Sequence, residues 1–364
     1  MKIICLGNYF STGGAQMDVV LLAELLREQG HDSEAWFFMR TGELNTGDTP
    51  YRYFTPKKSR NPFVVLKMLY LFFMACRAYK PDVVYGFYPF SNVMGALAKT
   101  FGLCRIFVAS QRNPSDTQSP VFYHLEKLLG CTKAYQANIC TSQAVVDSFD
   151  TFPQSYKDKL CVAYCGVPPM AFVDAPKQEC RSYFDFADDA FVIGSLGRLH
   201  KQKNIPFIVE CMVALPDFIL AIAGSGSDLN GIKTLVKNLA VDDRVIFVGE
   251  LADEDITKFY KAVDVFAMPS LYEGFGRTLA EAMEIGVPVV CSDIPVLQEV
   301  SSGAAITLPL DQAKWVDTFK QMKDGHIDTS TLIADGKMRA KDFSLESMLK
   351  GYLDAAGVTH VTRD

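Results

Sequence analysis

Short apolar runs of four to eight residues recur along this chain, each ended by a glycine or a polar turn and followed by a segment with helical spacing. Such runs suit strands buried on both faces, and strands alternating with helices can close only as parallel sheets wound through crossover helices. KIICLG opens the series, with a helix pattern from Gln16 to Gln29 closed by Gly30. A second strand, His31 to Phe38, is followed by a stretch that reads as a polar loop, and then by DVVYGF, RIFVAS, AYQANICTS and LCVAYCG. Gly166-Val167-Pro168-Pro169 ends this half. AFVIGSLG, FILAIAG, RVIFVG, VFAMPS, VPVVCS and AAITLP then repeat the rhythm more regularly. The pattern predicts an α/β chain of two Rossmann-like, doubly wound parallel-sheet domains, 1–169 and 170–343.

At 364 residues the chain has room for both. The opening strand follows Met1 without a basic region, a long apolar core or a cleavage site, so a secretory leader is not expected and the cytoplasm is the expected compartment. Ten scattered cysteines without a CxxC pair read as reduced thiols, and five histidines show no metal spacing, so neither disulfides nor a catalytic metal are expected. A net charge of −6 argues against nucleic acid as a partner. The charge is uneven: residues 1–120 carry 13 Lys and Arg against 9 Asp and Glu, net +4, which leaves −10 for the remainder.

The stretch SLYEGFGRTLAEAMEIGVPVVCSD, 270–293, carries the most chemistry. A glycine-containing turn, 270–276, meets a helix pattern from Arg277 to Ile285, and Gly286 stands where a left-handed C-terminal residue is expected. Unpaired N–H groups and the positive end of the helix dipole make such a start a site for a diphosphate. Glu273 and Glu281 frame the turn. A carboxylate beside an anion site needs another task, and accepting hydrogen bonds from neutral sugar hydroxyls supplies one. Glu281 would then hold a ribose, and Glu273 would face whatever the far phosphate carries. An ordinary βα turn with surface acids is the plain alternative.

This stretch resembles the EGFG...EAMA.G.PV signature of the retaining glycosyltransferases of family 4, which have the GT-B fold: two Rossmann-like domains facing a central cleft. The resemblance is strong from Phe191 to Glu299 and looser from Met1 to Gly166. It implies that Glu273 contacts the donor sugar, that Glu281 contacts the ribose, and that the backbone of Gly274, Phe275, Gly276, Thr278 and Leu279 takes the diphosphate. Gly197-Arg198-Leu199, with Lys203 following, resembles the family's GRL...KG pair, Asn204 replacing its glycine. Fixed cations at such a loop would offset the charge that gathers on a departing nucleoside diphosphate, which makes Arg198 and Lys203 catalytic candidates. Gly13-Gly14-Ala15-Gln16 resembles the GGAE segment, whose glycine amides approach the donor phosphates, although a plain tight turn fits too. Gly224-Ser225-Gly226 resembles the GxG turn beside the donor, and the segment through Leu251 resembles the region whose backbone reads the base. That readout leaves little side-chain trace, so uridine is preferred only as the family's usual base.

The first half departs from the pattern. Many relatives have a histidine after the strand that here runs into Gln111-Arg112-Asn113, a variant that resembles a bacterial surface-polysaccharide and O-antigen branch. These three are candidates for the acceptor or for a phosphate, with a structural ion pair for Arg112 as the alternative. The closing helix, Ser344 to Ala356, resembles the family's last helix, which returns to the first domain, so 344–364 is expected to pack there.

Between Thr49 and Pro81 lie seven basic residues and no acid, and within that span residues 62–80 form an apolar helix pattern with its apolar residues running around the helix. It reads as too short to span a bilayer, and either packs in the core or dips into an anionic membrane surface behind Lys57, Lys58 and Arg60. The resemblance implies transfer of a sugar from a nucleotide sugar, with UDP preferred, to a lipid-linked or surface glycan, with retention and no resident cofactor; a peripheral place on the inner face of the cytoplasmic membrane is a separate expectation from the basic run and the apolar helix after it. A GT-B nucleotide-sugar epimerase and a noncatalytic nucleotide-sugar-binding subunit are the alternatives. The glycine spacing after the first strand fails the GxGxxG dinucleotide pattern, which disfavours NAD.

Overall fold

The computed structural model describes residues 1–11, 14–59, 61–171 and 173–358. The chain divides into two compact units, one made of 1–166 together with 345–364 and the other of 167–344.

The first unit holds seven strands: β1 (Lys2–Phe10), β2 (Asp32–Arg40), β3 (Tyr51–Thr55), β4 (Val83–Phe87), β5 (Ile106–Gln111), β6 (Ala137–Cys140) and β7 (Leu160–Val162). Their order is β3-β2-β1-β4-β5-β6-β7, with every pairing parallel. Alternate residues of each strand enter opposite faces, so the sheet has a core on either side. Ile3, Cys5, Phe37 and Tyr85 pack under the Gly14–Glu28 helix through Val19, Leu22 and Leu26. On the other face Ile4, Leu6, Trp36 and Phe38 meet Met68 and Phe72 of the Pro62–Tyr79 helix and Met94 of the Pro89–Thr100 helix. Each such large side chain contributes about 1.5–3 kcal/mol by leaving water.

The Leu345–Ala356 helix belongs to this unit, where Met348, Leu349, Tyr352 and Leu353 join the first of these cores. Gly351 allows the approach, since a Cβ there would lie 2.6 Å from that of Ala163. The Tyr85 hydroxyl donates to the Tyr352 carbonyl at 2.9 Å, and the rings of Phe87 and Tyr352 stack at 5.7 Å.

Two expectations are corrected here. The polar loop after the second strand contains β3, a short edge strand parallel to β2. No helix separates the two strands, so alternation of strand and helix could not find it. The Pro62–Tyr79 helix has 18 residues and is long and apolar enough to cross a bilayer by length and composition, contrary to the expectation from its length. What ties it to the domain is its packing: Met68, Phe72, Ala75 and Cys76 are buried against the sheet. Its apolar residues divide into two faces, since Phe63, Leu66, Tyr70 and Met74 remain 81%, 62%, 62% and 46% exposed.

The second unit holds β8 (Phe191–Leu196), β9 (Phe218–Ala223), β10 (Val245–Gly249), β11 (Val265–Met268), β12 (Val289–Ser292) and β13 (Ile306–Leu308), in the order β10-β9-β8-β11-β12-β13, again all parallel. Its core gathers Ile193, Leu220, Ile222, Val265 and Val290 from the strands with Ile208, Met212, Trp315 and Phe319 from helices. In both sheets the winding reverses beside the first strand, between β1 and β4 and between β8 and β11. Loops leaving such a reversal diverge at the carboxyl ends of the strands and leave room for a ligand.

Candidate active site

The loops that leave β8 and β11 flank the reversal in the second unit, and they bring two of the residues singled out from the sequence together. The Lys203 ammonium lies 2.9 Å from Glu273 Oε1, and both side chains are largely shielded from water. The two loops are stitched by backbone. Leu271 N–H donates to the Gln202 carbonyl at 2.8 Å, and the Gln202 amide donates to the Tyr272 carbonyl at 3.0 Å. Ser292, at the end of β12, steadies the base of the turn through a 2.5 Å bond from its hydroxyl to the Ser270 carbonyl. Asn204 explains its own place in the sequence: it is left-handed (φ 51°), a conformation that glycine and asparagine adopt at least cost.

From this turn the Arg277–Ile285 helix starts with the bounds read from the sequence. Gly276 caps it at φ 91°, Gly286 ends it at φ 90°, no side chain caps its first turn, and that turn has no acidic residue. The start of the helix is therefore electropositive, and Lys203, held by Glu273, stands on the neighbouring loop. Phe275 and Leu279 are buried, the ring of Phe275 meeting that of Phe343 edge-on at 5.0 Å. They anchor the turn, so what they can offer a ligand is backbone.

Glu281 is half-buried, and the Tyr260 hydroxyl donates to its Oε2 at 3.0 Å. Burial pushes its carboxyl above the usual range, while the positive charge of Arg277, the Tyr260 hydrogen bond and Lys203 pull it back. The field of Lys203 thus reaches both carboxylates. Thr278, on the same helix, directs its hydroxyl to Met268 Sδ at 3.8 Å.

The glycines of the adjoining loops are required by close packing. A Cβ on Gly224 would lie 2.1 Å from the Gly197 carbonyl oxygen, and one on Gly226 would lie 2.2 Å from that of Leu199. Leu199 N–H donates to the Ser225 carbonyl at 2.8 Å, and Gly224 N–H to that of Gly249 at 2.6 Å, so the loops after β8, β9 and β10 form one layer. Arg198 is exposed on this layer, and Leu251 is half-buried just beyond β10.

The first unit changes the reading of its candidates. Arg112 is buried and ion-paired with buried Asp18, donates to the Tyr352 hydroxyl at 3.2 Å and lies over the Phe87 ring. These contacts place its charge inside the core of the first unit, the arrangement of the structural ion pair that was the alternative to a phosphate contact. Gln111 is equally committed, its amide donating to Glu126 Oε1 at 2.5 Å and to Asn138 Oδ1 at 3.1 Å. Gln111 closes β5 and Arg112 follows it, and both side chains enter the interior where the sequence suggested a binding loop. Asn113 remains half-buried. Gly13 lies outside the described residues, and Gly14 begins the first helix.

Sequence reasoning missed Gln202 and Tyr260, which position Lys203's loop and Glu281 without any motif of their own. It also missed Tyr88, at φ 88° beside the reversal of the first sheet. For a tyrosine that is a strained backbone, of the kind concentrated at ligand sites, and Pro89 after it was the one available signal.

Two doubly wound parallel sheets, each reversing its winding beside its first strand, give the chain the GT-B architecture. Residues 12–170 match the family Glycosyltransferase Family 4, residues 177–322 match Glycosyl transferases group 1, and the chain belongs to this family of glycosyltransferases. Over 170 residues it is 30% identical to the O-antigen biosynthesis glycosyltransferase WclY of Escherichia coli, which covers 46% of this chain and 48% of that protein. It is 33% identical over 169 residues to the lipopolysaccharide core biosynthesis mannosyltransferase LpsB of Rhizobium meliloti, covering 42% and 48%. The chain spans about half the length of the curated relatives it matches. The crystal structure of Anabaena HepE in complex with UDP and glucose has the same fold, with a TM-score of 0.85, 18% identity, and 99% of this chain and 100% of that one covered.

Proposed function

We propose that this chain transfers a hexosyl group from a UDP-sugar to a lipid-linked or surface glycan, with retention at the anomeric carbon. The observation that carries the reading is the Lys203–Glu273 pair beside the uncapped start of the Arg277–Ile285 helix. In the proposed step the bond between the anomeric carbon and the β-phosphate oxygen breaks, and its electron pair leaves with UDP. The acceptor oxygen bonds to the anomeric carbon on the same face, and its proton passes to the departing phosphate oxygen. Charge builds on the diphosphate as it leaves, where Lys203, Arg198 and the helix amides offset it. Glu273 holds the sugar hydroxyls, Glu281 the ribose, and the backbone beyond β10, through Leu251, the base. No resident metal is needed in this scheme, because the cations and amides take the charge. UDP in a solved neighbour and the O-antigen and lipopolysaccharide relatives support the choice of donor and acceptor classes.

Thermal-shift titration with UDP, GDP, ADP and NAD in EDTA tests the donor, since a ligand bound only by the folded chain raises its apparent stability. UDP is expected to stand out. A response to NAD alone would overturn the reading.

We also propose a peripheral place on the inner face of the cytoplasmic membrane. Phe63, Leu66, Tyr70 and Met74 recur at helical spacing and form an exposed apolar stripe, with Lys67 and Arg77 on the same helix.

A further inference from the structure

Beside β1, the two strands on the outer side of the first sheet end in a basic cavity that neither the motif nor the family resemblance assigns. It is a shallow depression open to solvent, and Arg40, Glu43, Lys57 and Lys58 are among the residues that line it along the carboxyl ends of β2 and β3. Three cations therefore face one carboxylate. Arg40 is built into place: it pairs with Glu43, donates from Nε to the Gly42 carbonyl at 3.4 Å and from Nη1 to the Tyr53 hydroxyl at 3.5 Å, and its guanidinium lies over the rings of Phe10 and Tyr53. A guanidinium carries more donors than these contacts use. The Lys58 ammonium lies 5.4 Å from the centre of the Tyr9 ring, and the Thr55 hydroxyl pins the turn by donating to the Lys57 carbonyl at 3.3 Å.

Like charges gathered around a concavity repel one another, and the packing of the fold does not need Lys57 or Lys58, both of which are exposed. An anion relieves that repulsion. A planar guanidinium fork with two mobile ammonium groups suits an anion with several oxygens and more than one charge, which is the chemistry of a phosphate ester. A few residues further on, the Pro62–Tyr79 helix exposes Phe63 and Leu66. The basic cavity is thus followed in the chain by an apolar surface, an arrangement that suits a phosphate carried on an apolar group.

We propose that this cavity is a phosphate-ester site for the phosphorylated end of the acceptor. The proposal rests on the transferase reading for the identity of the ligand, whereas the site itself is tested separately. The phosphate can come from a freely diffusing ester or from a lipid headgroup, and the experiment has an arm for each. Full-length protein is first saturated with UDP, so that the second unit takes up no added phosphate. It is then titrated with glycerol phosphate by calorimetry and, separately, floated with phosphatidylcholine vesicles with and without phosphatidic acid.

Wild type is compared with Lys57→Gln/Lys58→Gln and with Arg40→Gln, after thermal unfolding has established that each variant is folded. The exposed lysine pair keeps the test decisive even where Arg40→Gln fails to fold. The expected result is binding by wild type in at least one arm, weakened about tenfold or more in the lysine variant, with the response to UDP unchanged. Binding of glycerol phosphate assigns the site to a free ester, and binding only to phosphatidic acid vesicles assigns it to a headgroup. Equal binding by wild type and the lysine variant, or no binding by wild type in either arm, overturns the site. Loss of the UDP response in wild type would instead remove the transferase reading and leave the two phosphate arms to decide the cavity.

Discussion

Lys203 and Glu273, seventy positions apart in the chain, form a 2.9 Å ion pair between the loops that leave neighbouring strands β8 and β11. Each was singled out for a different part of a donor, the cation for phosphate and the carboxylate for sugar. In the structure each is the other's counter-ion, so a ligand that takes one of them must supply what the other loses. Removing either charge alone leaves a shielded partner unpaired, which costs about 3–5 kcal/mol in fully buried pairs and less where, as for Lys203, some water reaches the group. We expect Lys203→Met and Glu273→Gln each to destabilise the fold and to stop transfer, and the double variant to be more stable than the sum of the two losses. Denaturant unfolding of the four-protein cycle measures the coupling, expected at about 1–3 kcal/mol. Saturation with UDP should reduce it.

Arg112 separates a structural role from a ligand role. Arg112→Met takes the guanidinium out of a buried ion pair with Asp18, and we expect about 3–5 kcal/mol lost in denaturant unfolding. The midpoint of UDP titration should stay within about twofold, because the pair belongs to the interior of the first unit. A large fall in UDP affinity at unchanged stability would restore the phosphate role.

Glu126 makes stability depend on pH. Burial raises its carboxyl from 4.5 to about 7, against the opposing hydrogen bonds that Gln111 and Tyr156 donate to its Oε1. The folded state therefore binds this proton more tightly than the unfolded state does. The stability it contributes is fully present below pH 4.5 and is lost as pH rises through about 7, a change on the order of 3 kcal/mol for one such group. Glu126→Gln should flatten that part of the profile, read as the denaturant midpoint at each pH.

Gly224 tests the layer of loops. Its φ of 118° disfavours any side chain, and a Cβ would strike the Gly197 carbonyl. Gly224→Ala should cost more than about 1–3 kcal/mol, since it adds a backbone clash to the conformational strain. It should also weaken UDP binding, whereas Gly231→Ala, at an open helical position with nothing within 4 Å, should leave UDP binding unchanged and raise stability by about 0.5–1 kcal/mol.

The exposed stripe on the Pro62–Tyr79 helix gives a membrane prediction of its own. Leu66→Glu/Tyr70→Glu should abolish flotation with anionic vesicles and leave thermal stability nearly unchanged, because neither residue joins the core. Vesicle binding equal to wild type would exclude this face as the anchor.

Much of this architecture is written locally. Gly286 had to follow Ile285 because a helix ending there needs a left-handed residue, and that requirement is legible in one dimension. Lys203 and Glu273 were legible as chemistry, since a motif marks each. Their partnership was not, because it depends on which strands become neighbours. Arg112 failed for the opposite reason: a cation after a strand looks the same in sequence whether it faces solvent or Asp18. β3 escaped because an edge strand, half-exposed and close to its neighbour in the chain, carries neither a continuous apolar run nor a preceding helix.

The Leu345–Ala356 helix has a consequence for synthesis. Residues 167–344 form an uninterrupted unit, whose interior needs no segment from elsewhere in the chain. The first 166 residues emerge earlier, yet their sheet has one face without Met348, Leu349, Tyr352 and Leu353 until those side chains arrive. Until then Ile3, Cys5 and Tyr85 lack the cover of this helix, so the interior of the first unit closes only when two segments far apart in the chain meet.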